Sequence, residues 1–498
     1  MRLIRILTLI FIGLMTAQTV CAAPIELNLI EAVDLAFENN QDFLYQDVYG
    51  LRTAELSRQS SLAAYKSQSS LSLGANQTGS RTLSSSESGD RSLQGDLSWN
   101  LQVPFKWGSF VTFTAGMDLS RRDSLSGDGE YSSSPYLGLS WSQPLSHSGI
   151  KAGQGSLRRI ETGYENARLN FQRARENLIY QTISSYFRLF EARQALDLAE
   201  KQFDLTNNLL NLSQVRLEAG EIAELDLIQI KVQRVEEEAN LMALKRSLRS
   251  NRLDFLEMLG LETETQIELT TSPEEAIKFL AVENPSFEDA LAKAMTHRID
   301  LKQSDINLEL AELSMQETVS ANKTRLSLNS KYQRSGSNEK FSGLTDDASQ
   351  SWQVGASVDF SLLDGGRDKT GIENARISLD QARYSRQELE RSIRKEIENI
   401  VEAIKTDEAR LNILKVNLSI VEESFKISQI KYEEGMITSD DVLRSQLALF
   451  RMKDTIDRTN ISLIINMVGL FKAEGVLVEE YEAWKEAMKE DEYAQKDE

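Results

Sequence analysis

The sequence predicts an α+β membrane protein assembled from two copies of one unit, each a set of β-strands followed by a long helical hairpin. Three observations lead there: an unbroken heptad seam, its recurrence 215 residues later, and two blocks in which apolar and polar residues alternate.

The seam runs from Leu189 to Leu217. Leu189, Leu196, Phe203, Leu210 and Leu217 fall every seventh residue, and Ala192, Ala199, Thr206 and Ser213 follow the first four by three. Large residues at one heptad position and small ones at the other define a coiled-coil face. Gly220 ends the run, as a residue able to turn left-handed does. A second amphipathic helix follows, with Leu225, Ile228, Val232, Val235, Ala239 and Met242 spaced three and four apart. The hairpin tip therefore lies near 220.

Adding 215 to the first seam gives Ile404, Leu411, Leu418, Phe425 and Tyr432. Gly435 then matches Gly220, and Asp441 matches Asp226. Matched seam, glycine and aspartate make an internal repeat, which outranks any local motif. The first repeat is read as 23–258 and the second as 286–473, with 259–285 as a connector and 474–498 as an acidic tail. Val478, Tyr481, Trp484 and Met488 mark one face of a short helix in that tail, with disorder expected from Glu490. Near the start of each repeat a short helix is expected, carried by Leu29, Ala32, Val33, Ala36 and Phe37, and by Phe287, Ala290, Leu291 and Ala294. In copy one Asn39-Asn40 interrupts, and a longer helix from Phe43 is expected to reach about 68.

Between these helices and the seam the composition turns to Ser, Gly and Thr. Leu71, Leu73 and Ala75 alternate with polar neighbours, as do Leu93 to Val103, Val111 to Leu119, and Leu137 to Trp141. Such period-two runs of about 10 residues are strands with one apolar and one polar face. Copy one thus has strands over about 69–145, with Phe105-Lys106-Trp107-Gly108 as a tight turn. Copy two shows two strands, over about 324–333 and 351–363. The copy offset is 258 before the strands and 208 after them, so copy one carries about 50 extra residues, the size of one more hairpin. An exported chain with such strands, long polar loops on one side and short turns on the other fits a membrane barrel better than a soluble sandwich.

Export is read from the first 22 residues. Arg2 and Arg5 precede an apolar run from Ile6 to about Val20, too short for a spanning helix. Cys21 is the one cysteine; Gln18, Thr19 and Val20 depart from the pattern before a lipidated cysteine, and a cut after Ala22 fits better. The net charge of −20 becomes −22 once the leader's two arginines are gone, which argues against nucleic acid as a partner. With two histidines, His147 and His297, no metal cluster of the usual spacing can be built, and no cofactor is expected. No Ser/His/Asp arrangement or phosphate loop points to an enzyme.

The order of elements, repeated, resembles the TolC-type outer-membrane efflux proteins, or outer-membrane factors. The resemblance spans about Leu29 to Gly475. It rests on Leu29-Ile30-Glu31-Ala32-Val33 with Asn39-Asn40, Ser142-Gln143-Pro144-Leu145, Ser361-Leu362-Leu363-Asp364-Gly365-Gly366 with Asn374-Ala375, Arg216 to Gly220 with Asp226, and Lys431-Tyr432-Glu433-Glu434-Gly435 with Asp441-Val442-Leu443. It implies a homotrimer: one shared outer-membrane β-barrel, continued by a long periplasmic α-helical barrel closed at the hairpin tips. A helix from about 151 to 219 would be roughly 100 Å long, which suits such a tunnel. The function implied is the exit duct of a tripartite efflux or type I secretion system. Its partners would be a periplasmic adaptor (membrane fusion) protein and an inner-membrane pump of RND, ABC or MFS type, in a Gram-negative envelope.

The resemblance also assigns residues. Asp441, with Asp440 and Asp226, would form the pore constriction at the periplasmic tip. Gly220, Glu221, Tyr432, Gly435 and Ile437 would mark the tips and the adaptor contact. Tyr432 matches the family's latch tyrosine, whereas Ile437 stands where the family has an arginine and Arg444 where it has a second acid. The bare residues give Asp440 and Asp441 a second role as helix-start acids, with Ser439 as N-cap. A structural coiled-coil protein of the envelope is the alternative; it explains the heptads but not the duplicated strands.

Overall fold

The computed structural model describes residues 25–82, 88–124, 130–220, 222–280, 285–336, 348–360 and 362–496. The expected leader, with Cys21, lies outside them. The chain divides into two compact units, one of residues 1–47, 172–298 and 392–498, the other of 48–171 and 299–391.

The second unit is built on one antiparallel sheet. Its strands are β2 (Gln68–Thr82), β3 (Ser88–Pro104), β4 (Phe110–Ser124), β5 (Glu130–Pro144), β7 (Arg325–Gly336) and β8 (Ala348–Asp359), in that spatial order. The extra hairpin of copy one is therefore part of the sheet. The strands run 12 to 17 residues, longer than the apolar alternation alone marks. Their ends are Ser/Gly/Arg-rich, where periodicity has no apolar residue to report it. The β3–β4 turn closes with Phe105 N–H donating to Ser109 O (2.8 Å) and Gly108 at φ 83°.

Register sorts the side chains onto two faces. Leu71, Trp99, Ala115 and Leu137 share one row, and Leu101, Phe113, Leu139, Tyr332 and Trp352 another, all on the same face. Leu71, Leu73, Trp99, Phe113, Leu139, Trp352 and Val354 on that face are exposed. The opposite face carries hydroxyl pairs across strands: Ser72–Ser98 (2.6 Å), Thr78–Ser92 (2.7 Å), Ser120–Ser132 (3.0 Å) and Ser327–Ser357 (2.6 Å).

Helices α2 (Tyr49–Ala63) and α7 (Ile299–Ala321) and the sheet-proximal ends of α3 (His147–Glu218) and α8 (Arg367–Glu433) complete this unit. Leu169 packs with Ile299, Ile306 and Leu310. Arg158 grips Glu309 with two bonds of 2.6 and 2.7 Å, which raises the arginine's pKa and lowers the glutamate's. The continuous helix expected to reach 68 instead ends at Ala63 and begins with a π-helical turn, Phe43–Val48. Asn40 explains the break: its side chain accepts from Phe43 N–H (2.8 Å) and donates to Met258 O (2.8 Å).

The first unit holds α1 (Leu29–Asn39), the rest of α3 and α8, and α4 (Glu224–Met258), α5 (Pro273–Leu280), α6 (Phe287–His297), α9 (Ser439–Glu474) and α10 (Leu477–Lys496). The span read as a plain connector has structure of its own. β6 (Ile267–Leu269) pairs in parallel with β1 (Ile25–Leu27), and α5 starts at Pro273, where a missing N–H is harmless. Tyr186, fully buried, joins them by donating to Leu27 O (3.2 Å) and accepting from Thr271 N–H (2.9 Å). The C-terminal residues expected to be disordered from Glu490 are helical to Lys496, anchored by buried Tyr481 and Trp484. Tyr481 Oη donates to Asp34 (2.8 Å), and Lys485 also reaches that carboxylate.

The heptad seams pack differently from one another. In α3 the small residues Ala192, Ala199, Thr206 and Ser213 are buried, while Leu196, Phe203, Leu210 and Leu217 are half-buried. Small residues let helices approach closely, so the large ones flank the contact rather than fill it. In α8 the large residues Ile404 and Leu411 are themselves buried. The stripe read on α4 is not its packed face: Leu225, Ile228, Val232, Val235 and Met242 are exposed, and Leu227, Ile230 and Leu241 are buried. A matching exposed stripe of Ile413, Val416, Ile420, Ile427 and Ile430 runs along α8.

Candidate functional site at the hairpin tips

Each hairpin turns on a glycine. Gly220 and Gly435 both have φ 76°, and their N–H groups donate to Leu217 O and Tyr432 O (2.9 Å each). At the second tip Met436 N–H also reaches back to Lys431 O (2.8 Å), the six-to-one bond that closes a left-handed helix end. Glu221 lies outside the described residues.

The helix after each tip starts differently. In α9 the N-cap is Thr438, not Ser439, which is the first helical residue. Thr438 Oγ1 accepts from Asp441 N–H (3.4 Å) and donates to Asp441 Oδ2 (2.8 Å), and that carboxylate also accepts from Thr438 N–H (3.0 Å). These donors, with Arg444 nearby, hold the Asp441 carboxyl below its ordinary pKa. In α4 the N-cap is Ala223, which has no side chain to cap with, although Asp226 occupies the same third position.

Asp440 pairs with Arg444 one turn on, at 2.8 Å, and both side chains are largely exposed. Among the described residues no hydrogen bond or ion pair joins Asp226, Asp440 and Asp441 to one another. Within one chain they are separate helix-start acids.

Above the tips lies an apolar cluster of Leu209, Ile230, Tyr432, Val442 and Leu443, with Leu210, Phe425 and Ile437 packed against it. All four hairpin helices or their turns contribute. Ile437 is therefore a tip-packing residue, consistent with its not being the arginine of the family pattern. Tyr432 is 3% exposed, bonded to the Ser213 hydroxyl at 2.7 Å and covered by the Arg216 guanidinium 4.5 Å from its ring centre. Arg216 also donates to Glu433 O (2.9 Å).

One buried polar layer escaped the sequence reading. Glu237, 5% exposed, accepts at Oε1 from Gln202 (2.9 Å), Gln233 (3.0 Å) and Thr206 (3.1 Å). Gln446 of α9 adds bonds to Gln202 O (3.1 Å) and Thr206 Oγ1 (3.3 Å). A glutamate within a charge-rich stretch looks like a solvated face. Only its neighbours Gln202 and Gln233, at matching levels of two helices, could have hinted otherwise.

The chain has two long-helix hairpins and an antiparallel sheet that exposes one apolar face. Among the described residues no helix is long and apolar enough to cross a membrane. Residues 290–476 match the model of the outer membrane efflux protein family. The chain is 21% identical over 322 residues to the outer membrane efflux protein BepC of Brucella suis biovar 1 (strain 1330), covering 63% of this chain and 67% of that one. It is 21% identical over 271 residues to nodulation protein T of Rhizobium leguminosarum bv. viciae, covering 54% of this chain and about half, 55%, of that protein's length. In fold it is similar to the outer membrane protein VceC of Vibrio cholerae, with a TM-score of 0.66 at 15% identity over 90% of this chain and 96% of that one. Over residues 290–476 the chain is similar to the outer membrane efflux protein family, and its place is the outer membrane. Members of this family are outer-membrane channels of efflux systems.

Proposed function

We propose that three copies of this chain form the exit duct of a tripartite efflux or type I secretion system. The observation that carries this is the open sheet. Its six strands end at β2 and β8, whose outer edges have no partner among the described residues. An unpaired edge with an apolar face is stable in a membrane only when another strand closes it. Closure by two further copies would give a wall of 18 strands, wide enough for a channel. The exposed stripes of α4 and α8 give a neighbouring copy an apolar seam in the helical region.

The duct's periplasmic end is the pair of hairpin tips. There an adaptor protein would dock around Gly220, Glu221, Gly435 and their flanks, and couple the duct to an inner-membrane pump. Asp226, Asp440 and Asp441 would ring the constriction and favour cations. Arg444, paired with Asp440, reduces that field. Planar-bilayer recording of the purified protein tests the reading. A stable, wide, cation-preferring conductance is expected; failure to insert or conduct would overturn it.

A further inference from the structure

We propose that the outer end of the sheet's apolar face binds a phosphorylated, acylated glycolipid of the lipid A class. The inference rests on the reading of this sheet as a membrane wall.

The apolar face is not uniform. Register places Ala75, Gly95, Leu119 and Ser133 in one row across β2 to β5, and Gln77, Leu93, Arg121 and Tyr131 in the next. The small residues of the first row leave a depression, and a cavity of about 580 Å³ opens there, lined on this face by Ala75, Leu93, Leu119, Arg121, Tyr131 and Ser133. A Cβ placed on Gly95 would meet nothing closer than 3.8 Å, so the space beside it is real. Leu93 and Leu119 are about half exposed along it.

Two polar features point to a ligand. The Ser133 hydroxyl is buried, 5% exposed, yet has no hydrogen-bond partner among the described residues. A buried hydroxyl is seldom left unpaired, and in this otherwise greasy groove an acyl carbonyl is the fitting acceptor. The Arg121 guanidinium lies 5.0 Å over the ring of Tyr131, which is 61% exposed. A stacked guanidinium keeps its donors in its own plane, the geometry that recognises phosphate.

Position along the strands selects the lipid. The chain leaves α2 at Ala63 to enter β2 at Gln68, and leaves β5 at Pro144 to enter α3 at His147, so those strand ends face the helices. Arg121 and Tyr131 sit at the opposite ends. Along β3 the apolar positions run from Val103 to Leu93, which at about 3.3 Å per residue and the usual tilt spans a hydrocarbon layer of about 25 Å. The Leu93–Arg121–Tyr131 row therefore marks the outer headgroup level, where the lipids of a Gram-negative envelope are phosphorylated glycolipids. Acyl chains fill the groove, Ser133 donates to an acyl carbonyl, and Arg121 holds a phosphate.

Native mass spectrometry of the full-length protein in detergent, titrated with hexa-acylated bisphosphoryl lipid A, tests this. Wild type is expected to bind it about tenfold more tightly than dioleoylphosphatidylglycerol. Arg121→Gln should lose about tenfold for lipid A, and wild type should show a similar loss with dephosphorylated lipid A. Gly95→Leu should fill the groove and remove binding, and Ser133→Ala should weaken it without altering charge. Equal affinity of wild type for the two lipids, or preference for phosphatidylglycerol, overturns the proposal. So does wild-type affinity in both Arg121→Gln and Ser133→Ala, two mild variants that decide the matter even if Gly95→Leu fails to fold. Conductance of the same preparations separates the two readings. Variants that conduct normally but bind lipid A weakly support the site, whereas a wild type that never enters a bilayer removes the membrane wall itself.

Discussion

The hydroxyls of Ser213 and Tyr432 lie 2.7 Å apart in the buried tip cluster, joining α3 of the first hairpin to α8 of the second. Tyr432→Phe leaves the Ser213 oxygen buried without that partner and should cost about 1–2 kcal/mol. Tyr432→Ala also empties the cluster of Leu209, Ile230, Val442 and Leu443 and should cost about 3–5 kcal/mol. The double change Ser213→Ala with Tyr432→Phe removes donor and acceptor together and should be milder than the sum of the singles. Denaturant unfolding of wild type, Ser213→Ala, the two Tyr432 variants and the double variant checks the order; additive singles would mean the hydroxyls do not depend on each other.

The two tips differ at one residue of the cap. Thr438 closes a box with Asp441, whereas Ala223 faces Asp226 with nothing to offer. Ala223→Thr should recreate the box and stabilise the start of α4 by about 1 kcal/mol. Slower amide exchange over 224–230, with none over 439–445, is the expected reading. Unchanged exchange at both would show that Asp226 is held elsewhere.

How far the sequence carried depends on what each signal encodes. Gly220 and Gly435 were legible because a tight helix end needs φ > 0, and both have it. The strands were legible where Leu, Trp and Phe alternate, and their Ser-rich ends were not. The direction of a stripe was not legible. Val232 and Val416 show the same periodicity as Leu411, but periodicity reports that a face is apolar, not which neighbour covers it. Glu237 was invisible for a related reason: its burial depends on Gln202, Thr206 and Gln446, two of them on one distant helix and one on another.

Burial in α9, with Asp454 on the same helix and Glu274 of α5 facing it, pushes the Asp457 carboxyl up to about 6, against a small opposing pull from Lys453. The folded pKa is raised above the unfolded value of 3.8, so the folded state holds the proton more tightly. Stability should therefore be highest below about pH 4 for this group and fall as pH rises through 6. Asp457→Asn should remove that slope and stabilise the protein near neutral pH by about 1 kcal/mol, a figure discounted for partial exposure. Thermal melts of both proteins at pH 5 and 7.5 check it; an equal gain at the two values would assign the effect to packing.

The seams separate folding from assembly. Leu411 is 6% exposed inside the chain, whereas Val416, on the same helix, is 64% exposed and lies on the stripe of Ile413, Ile420 and Ile427. Leu411→Asp buries a charge with no partner and should destabilise the fold itself by several kcal/mol. Leu196→Asp should do so less, because Leu196 is only half-buried. Val416 is largely exposed within one chain, so secondary structure and its melting in the isolated chain should survive Val416→Asp. If a neighbouring copy covers that stripe, the same change places three charges in the trimer's seams. SDS-resistant trimer should then vanish from Val416→Asp, and likewise from Val232→Asp on the exposed stripe of α4, while circular dichroism remains that of wild type. A fully resistant trimer in both would show that these stripes meet water, and the helical part of the assembly would have to be held by other faces.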